Sequence, residues 1–346
     1  MFVPDNWDGI SHMEPLHLEF DPSMPRRIKP NPRPIPPKLR EATRKEFERM
    51  KTYFYLESNS SISSPLVVAP KATAPFIRIC GDYRVINKYV KTSTYPIPEV
   101  LKEIHKAMPF RVFVDLDVKN AYHQLRLSEE TSNILSVQTP WGLYRPKMLP
   151  EGVAPGSQEL MQVMDKAFRG FEEFMIVIFD NLLVLAMDYE DCAVKLRKVL
   201  GRCREWNIHL KLSKCSFGVE RVEFFGYVVE NGTYRLSDER AQAVTSIPFP
   251  SPPLQLKKMQ RFLGAANYFK PFIPNYAERA AKLYEMTNKS FDWNETLWRQ
   301  DYRKAFEDFK ESILSSLTLY HPDYSPVDIE ERHFGLCGWW GFGPVG

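Results

Sequence analysis

The order of apolar and polar positions along the chain predicts short strands alternating with helices, and it places acids inside two of the apolar runs. Residues 174–186 (FMIVIFDNLLVLA) have β-branched and apolar segments on either side of one Asp-Asn pair, which is typical of a buried β-hairpin. Residues 110–118 (FRVFVDLDV) form a second apolar strand that contains Asp115 and Asp117. Taken alone, Asp180-Asn181 is explained by the turn, because both residues tolerate the positive φ of a tight hairpin.

Two apolar strands that each carry an Asp also predict carboxylates brought together at the centre of a sheet. Isolated charges are costly there unless they are paired or bind cations. Mg²⁺ prefers such hard oxygen ligands and takes few protein carboxylates, with substrate phosphates completing its shell. The pattern therefore indicates a cation site as an alternative to a plain turn.

Two proline-rich segments divide the rest of the chain. Residues 25–40 carry six prolines and six basic residues with no acid, so we expect an extended leader, either a solvated linker or an arm that contacts phosphates. A second proline cluster at 248–253 marks a boundary. Between and beyond these segments the pattern predicts strands at 64–71 and 76–80 and helices at 39–55, 99–108, 157–168, 188–206, 254–269 and 274–287.

Composition narrows the class of protein only slightly. A chain of 346 residues is expected to form two or three subdomains. The formal net charge of +3 is weak support for a nucleic-acid partner, so any basic surface must be local. The five cysteines lack a Cys-x-x-Cys pair, which argues against a zinc knuckle or disulfide framework and favours reduced, mostly buried thiols of an intracellular protein. No secretory signal or membrane-spanning run is visible.

Several motifs resemble those of one enzyme family. Residues 116–124 (LDVKNAYHQ) are similar to the first catalytic motif of reverse transcriptases, and residues 178–181 (IFDN) stand where that family has Tyr-x-Asp-Asp. Residues 82–87 (DYRVIN), 224–229 (FFGYVV) and 260–275 (QRFLGAANYFKPFIPN) continue the match in the order of gypsy-type (Metaviridae) LTR-retrotransposon Pol polyproteins, over residues 17–325. The resemblance implies an RNA-directed DNA polymerase with an α+β, right-hand fold of fingers, ferredoxin-like palm and helical thumb.

The resemblance also implies a set of ligands and site residues. Mg²⁺, with Mn²⁺ as a substitute, is the expected cofactor. The expected partners are an RNA or DNA template with a DNA primer and deoxynucleoside triphosphates. No membrane is expected, and the oligomeric state is unknown from the sequence. The implied catalytic residues are Asp117, Asp180 and Asn181, of which Asp117 and Asp180 bind metal. The implied nucleotide-binding residues are Lys71, Arg78, Tyr122 and Gly152. The implied primer-positioning residues are Phe225, Gly226 and Tyr227.

Each of these assignments has a plainer alternative. Lys71 and Arg78 are ordinary exposed hairpin cations on physical grounds alone, Tyr122 is a half-buried core tyrosine, and residues 224–229 are a core hairpin. Asp115 is left out of the metal site because the family does not require an acid there. Glu151, beside the turn formed by Pro150 and Gly152, receives no role, because an acid next to a triphosphate is repulsive.

The domains expected from the resemblance are a leader at 1–38, fingers and palm at 39–247, and thumb and connection helices at 248–318. Residues 319–346 are expected to be a truncated or divergent start of a ribonuclease H-like domain, without its activity. An intracellular location is expected, in a cytoplasmic particle or the nucleus.

Asn181 is the main departure from the family pattern. An Asn keeps one carbonyl oxygen but lacks the negative charge of the family's second Asp. Two hypotheses follow: a lineage that polymerises with Asp-Asn, or a catalytically silent remnant that binds template and primer. A third, an inactive partner subunit, has no positive support in the sequence.

Overall fold

Strands of two to seven residues alternate with helices, as the apolar pattern predicts. The computed structural model describes residues 8–71, 76–293, 299–316 and 319–320. The helices in these ranges are α1 Pro37–Lys51, α2 Val100–Ala107, α3 Glu129–Ile134, α4 Gly156–Ala167, α5 Tyr189–Glu205, α6 Asp238–Thr245, α7 Gln255–Ala266, α8 Tyr276–Glu285 and α9 Arg299–Leu314. None of these helices has the length and apolar character needed to cross a membrane.

The strands belong to three sheets. They are β1 Tyr55–Glu57, β2 Ser64–Pro70, β3 Ile77–Gly81, β4 Val112–Asp117, β5 Val137–Thr139, β6 Gly142–Pro146, β7 Met175–Ile178, β8 Asn181–Ala186, β9 Ser216–Val219, β10 Arg221–Phe224, β11 Tyr227–Glu230, β12 Thr233–Leu236 and β13 Leu319–Tyr320. The sheet orders are β1-β6-β5-β2-β3, β7-β8-β4-β9 and β10-β11-β12-β13.

The chain divides into two units. Unit 1 comprises the residues up to Glu103 and Val112–Glu220, and unit 2 comprises Ile104–Arg111 and the residues from Arg221 onward. Unit 1 thus contains the first two sheets, and unit 2 contains the third sheet with α6, α7, α8 and α9. The predicted domain boundaries remain predictions.

The β7-β8-β4-β9 sheet of unit 1 is wholly antiparallel, and its two central strands are apolar on both faces. Residues 182–186 of β8 are all fully buried, and so is Leu116 of β4. Helices α4 and α5 pack against this sheet. Burial on both faces explains the unbroken apolar run at 174–186, and it leaves the polar groups to the strand ends.

Unit 2 is held together by aromatic side chains. The Phe262 ring of α7 lies 4.5 Å from the Phe306 ring of α9, and Phe272 packs 5.6 Å from Tyr234 of β12. His105 of the short 104–111 segment bonds the Tyr234 hydroxyl at 3.0 Å. The aromatic residues near 260–275 therefore pack helices against one another and against the sheet.

The predicted bounds of α1 differ from the observed ones at both ends, with the larger difference at its C-terminus. The helix begins at Pro37 rather than residue 39, because proline has the right φ for the first helical turn and loses no hydrogen bond there. It ends at Lys51 rather than residue 55, since Tyr55 pairs with Pro146 in the β1–β6 ladder. The remaining predicted helices and strands lie within about three residues of the observed ones.

The cysteines follow the prediction in part. Cys192 and Cys203 are buried and unbridged, whereas Cys80 and Cys215 are partly exposed and also unbridged. Burial raises the pKa of the Cys203 thiol to about 12, so that thiol is unreactive near neutral pH. Cys337 lies outside the described residues.

Phe47 of α1 tests the packing of the first sheet. Its fully buried ring lies 5.0–5.3 Å from the rings of Tyr55, Trp141 and Tyr144. We expect Phe47→Ala to lower the free energy of unfolding by about 3–5 kcal/mol, measured by chemical denaturation. Leu56→Ala, at an exposed neighbouring position on β1, is the control and should change it by less than about 1 kcal/mol. Equal losses from the two variants would contradict this account of the core.

Candidate active site

The ladder between β4 and β8 brings the two acidic motifs together. Asp117 is the last residue of β4 and stands opposite Asn181, the first residue of β8. The Val118 amide donates to the Asp180 carbonyl at 2.9 Å, which extends the pairing past the strand ends. Asp117, Asp180 and Asn181 therefore meet at one edge of the sheet, as the sequence predicts.

The turn of this hairpin differs from the prediction. Its loop residues are Phe179 and Asp180, while Asn181 is already paired with Ile178 in the ladder. The positive φ of +55° falls on Phe179, not on Asp180 or Asn181. The reason is the register: β8 starts one residue earlier, so the Asp-Asn pair cannot occupy both loop positions. A left-handed aromatic residue costs about 1–2 kcal/mol, and such strain is often found at functional sites.

Burial makes this edge of the sheet unfavourable for negative charge. Desolvation is the main cause that raises the pKa of Asp180, and the nearby charge of Asp117 raises it further. Burial also raises the pKa of Asp115 to about 6, again with a contribution from Asp117. The two carboxyl groups thus resist ionisation unless a cation is close.

Lys214 supplies positive charge at this edge. Its Nζ lies 2.8 Å from Asp117 Oδ2, and this hydrogen bond is the largest factor that raises the pKa of Lys214. Lys214 also opposes the upward shift of the Asp180 pKa. Sequence reasoning missed this residue, because the contact joins positions 97 residues apart and one Lys in a mixed segment carries no signal.

The donor set suits a hard divalent cation. Asp117 and Asp180 offer carboxylate oxygens, and the Asn181 side chain offers one amide oxygen while its Nδ2 lies 3.5 Å from Asp180 Oδ1. Within the described residues, no group of three His, Cys, Asp or Glu side chains is placed to hold a metal. Two carboxylates fit Mg²⁺, which takes its other ligands from water and phosphate. The Lys214 ammonium group already shows that a cation is favoured here.

Tyr122 packs close to the start of α4. It belongs to the 3₁₀ turn Ala121–Gln124 that follows β4, and its hydroxyl lies 3.0 Å from Ser157 Oγ. Gly156 lies beside the ring, and a Cβ built there would be 3.4 Å from it. The ring is therefore fixed in a partly exposed position, five residues after Asp117.

Lys71 and Arg78 line one cleft of unit 1, with a volume of about 210 Å³. Arg49 and Lys119 add two further cations to its wall, which makes the cleft suited to an anion. Glu151 also lies on this wall, and its carboxylate is 3.2 Å from Arg78 Nη1. The acid that had no role in the sequence is thus the ion-pair partner of Arg78.

Gly152 is held by the side chain of Asn87. The Asn87 amide donates to the Gly152 carbonyl at 2.9 Å and accepts from the Ala154 amide at 3.0 Å. Gly152 has a φ of +92°, which favours glycine, so residue type and hydrogen bonds both fix this turn. The segment at 82–87 and the segment at 150–154 therefore form one assembly beside the Arg78 cleft.

The hairpin predicted to position the primer lies in unit 2. Phe225 and Gly226 form its two-residue turn with φ values of +49° and +73°, and Tyr227 begins β11. The Ser237 amide donates to the Gly226 carbonyl at 2.9 Å and so anchors the turn to the N-terminus of α6. The prediction of a hairpin at 224–229 is confirmed.

Comparison with known protein families adds to this geometry. Residues 70–229 match the family model described as reverse transcriptase (RNA-dependent DNA polymerase). The Retrovirus-related Pol polyprotein from transposon 412 of Drosophila melanogaster is 28% identical over 274 residues, which cover 78% of this chain and 22% of that protein. The transposon Tf2-7 polyprotein of Schizosaccharomyces pombe is 26% identical over 294 residues, covering 84% of this chain and 22% of that protein. The chain thus spans about a fifth of these relatives.

Solved structures of similar fold come from foamy virus. The foamy viral protease-reverse transcriptase in complex with double-stranded DNA has a TM-score of 0.82 and 18% identity, covering 92% of this chain and 55% of that one. The same viral protein with an RNA/DNA hybrid has a TM-score of 0.75 and 18% identity, covering 91% and 42%. These similarities confirm the predicted α+β polymerase fold.

The raised pKa of Asp115 makes stability depend on pH. The pKa of Asp115 is about 6 in the folded state and roughly 3.9 in the unfolded chain. The contribution of the protonated carboxyl group to the free energy of unfolding is therefore fully present below the unfolded pKa. It is lost as pH rises through about 6. Asp115→Asn should therefore raise the free energy of unfolding at pH 8 by about 1 kcal/mol, discounted for partial solvent access, and change little at pH 4.

Chemical denaturation at both pH values, with a chelator present, measures this difference. Glu57→Gln, on the exposed part of β1, is the control for loss of one negative charge. A gain in Asp115→Asn that is the same at pH 4 and pH 8, or a gain matched by Glu57→Gln, would contradict the assignment to Asp115.

Proposed function

We propose that this chain, which carries a reverse transcriptase domain of the kind found in gypsy-type LTR-retrotransposon Pol polyproteins, is an RNA-directed DNA polymerase. The reaction is template-directed addition of a deoxynucleotide to a primer 3′-hydroxyl. One observation carries the proposal: the β4–β8 register sets Asp117 beside Asp180-Asn181, within the same unit as the basic cleft around Arg78.

Asp117 and Asp180 are the proposed metal ligands, with the Asn181 carbonyl oxygen as a weaker one. When bound, Mg²⁺ or Mn²⁺ supplies activation of the primer hydroxyl and neutralises charge on the transferred phosphoryl group. The chain fixes Asp117 at the end of β4 and Asp180 in the adjoining turn, and both side chains are partly desolvated, which strengthens their attraction for cations. Lys214 balances the charge of Asp117 before a substrate arrives.

The nucleotide-binding residues follow from the cleft. Arg78 and Lys71 are proposed to bind the triphosphate, since a guanidinium offers several donors to phosphate oxygens and Lys adds a compact charge. Tyr122, fixed against α4, is proposed to lie under the sugar and to exclude a 2′-hydroxyl by filling its space. The Gly152 turn, held by Asn87, is proposed to form the adjoining wall.

The proposed macromolecular partner is a template–primer duplex. Foamy viral relatives of this fold are described in complex with double-stranded DNA and with an RNA/DNA hybrid. Residues 225–227 are proposed to position the primer terminus. We retain fingers and palm at 39–247 and thumb at 248–318 as the proposed domains. The expected ribonuclease H-like start at 319–346 lies, apart from β13, outside the described residues.

Primer extension on a homopolymeric RNA template tests the polymerase proposal. We expect extension by the native chain with Mg²⁺ or Mn²⁺ and a loss of roughly 10³-fold in Asp117→Ala, because one of two carboxylate ligands is removed. Asn181→Asp should raise the rate roughly tenfold by restoring a negative ligand. Duplex binding by Asp117→Ala serves as the control for folding.

The outcomes separate the two hypotheses about Asn181. A silent native chain with extension restored in Asn181→Asp would identify a disabled enzyme with an intact fold. Silence in both, with duplex binding retained, would favour the template–primer-binding remnant over the polymerase. Extension that survives Asp117→Ala would refute the assigned metal site.

The Arg78–Glu151 pair yields a prediction about nucleotide affinity. A triphosphate must compete with the Glu151 carboxylate for Arg78, because the two side chains lie 3.2 Å apart. Glu151→Gln should therefore lower the KM for deoxynucleotide by a factor of about 2–5, the range expected for an exposed ion pair. Steady-state primer extension at varied nucleotide concentration measures it.

Glu46→Gln is the matched control for this variant. Glu46 lies on the same cleft but pairs with Arg49 at 2.7 Å, so it changes the cleft charge equally without releasing Arg78. A KM that falls equally in the two variants would assign the effect to total charge, against a specific Arg78–Glu151 competition.

A further inference from the structure

Arg240 of α6 carries a positive charge that pairs with no carboxylate in the part of the chain that the structure describes. Within the described residues no carboxylate lies within ion-pair distance of its guanidinium, and none of its side-chain N–H groups has a protein acceptor. A guanidinium has five donors in a planar fork, and leaving all of them to solvent is unusual in a partly buried side chain. The residue is thus equipped for an external ligand rather than for an internal pair.

The neighbouring arginines of unit 2 are neutralised. Arg235 donates to both carboxylate oxygens of Asp238, at 2.8 and 3.3 Å, and Arg221 lies 3.6 Å from Glu230. These side chains occupy the same sheet and the start of the same helix. Carboxylates therefore lie close to Arg240 in the sequence, yet they pair with other arginines and the Arg240 guanidinium is directed elsewhere.

Aromatic rings fix the position of the Arg240 guanidinium. Its Cζ lies 5.7 Å from the Tyr227 ring centre and 5.1 Å from that of Tyr268. Burial is the main cause that raises the pKa of Tyr227, and the charge of Arg240 opposes the shift. Cation–π contact with the two rings restricts the guanidinium without using its N–H donors, so the donors stay available.

The hairpin turn is shaped to receive this side chain. A Cβ at Gly226 would lie 2.7 Å from Arg240 Cζ and Nε, so the guanidinium rests directly against the glycine. The φ of +73° favours glycine at position 226, and a side chain there would displace the Arg240 guanidinium. The uncompensated charge is placed at the tip of the hairpin formed by Phe225, Gly226 and Tyr227.

We propose that Arg240 binds a backbone phosphate of the primer strand where that strand passes the β10–β11 hairpin. This inference rests on the proposed polymerase function, which brings a primer to this hairpin. Planar, multiply donating recognition of phosphate is what guanidinium groups do best. Arg240 is then a positioning residue for the primer and not a catalytic residue, because its proposed contact is with a backbone phosphate and not with the reacting atoms.

Equilibrium binding of a fluorescent template–primer, measured by anisotropy over a range of salt concentration, tests the proposal. Arg240→Gln should weaken binding roughly tenfold, as expected for one charge-assisted hydrogen-bonded contact. It should also reduce the slope of log affinity against log salt by about 1, because one fewer counterion is released. Arg240→Met, which keeps the apolar stem between the two tyrosine rings, should behave alike and guards against a loss caused by misfolding.

Arg235→Gln is the matched control, because it removes the same charge five residues away from an arginine already paired with Asp238. We expect it to leave affinity and salt slope near their native values. Equal binding by Arg240→Gln, Arg240→Met and Arg235→Gln would overturn the proposal. A loss in both Arg240 variants at an unchanged salt slope would also overturn it, since the role would then be packing alone.

Neutral methylphosphonate linkages locate the contact. Each linkage is placed singly along the primer or the template. We expect one primer position at which the neutral linkage weakens binding by the native chain but causes no further loss of binding by Arg240→Gln. Such a position on the template strand instead would refute the assignment to the primer. No duplex binding by the native chain would refute the polymerase proposal itself, whereas native extension with an insensitive Arg240 would refute only this inference.

Discussion

The structure of unit 1 depends on placing two carboxylates at the end of an otherwise apolar, fully buried pair of strands. Burial disfavours the charged form of Asp180, as its raised pKa shows. The arrangement is tolerable because Lys214 reaches Asp117 from a distant segment and because the strand ends remain partly open to solvent. A sheet edge that needs positive charge to be stable is also an edge that attracts cations, so stability and chemistry have the same cause.

The sequence predicted the parts of this arrangement that are local. Apolar runs flanking Asp117 and Asp180 predicted strands, and the observed ladder pairs them. It did not predict that the turn would be Phe179-Asp180, because Phe is a poor candidate for a positive φ and only tertiary pairing of Asn181 forces it. The C-terminal end of α1 comes earlier than predicted for a similar reason, since Tyr55 joins β1 by pairing with Pro146, far along the chain.

The remaining site residues depend on contacts between distant segments. In the sequence, Glu151 is an acid that would repel a triphosphate, and only the fold places Arg78 beside it. The hydrogen bond from Asn87 to the Gly152 turn is likewise visible only in the fold. Sequence spacing is silent on such pairs. Asn181 changes the charge at the same site. An amide in place of a carboxylate lowers the repulsion among the acidic side chains and also lowers the attraction for metal ions.

In this chain, the pairing of charged side chains describes the basic surface better than composition does. The net charge of +3 is close to neutral, so the total reveals little about partners. Many arginines are neutralised internally, as Arg84 is by Asp82 and Arg235 by Asp238. Such pairs orient loops and helices, and they add almost nothing to the external field. An arginine held by rings, with its donors unused, contributes its whole charge to that field. The positive surface of this protein therefore depends on which Lys and Arg side chains are unpaired. The pairing of these side chains can be determined only from the folded chain.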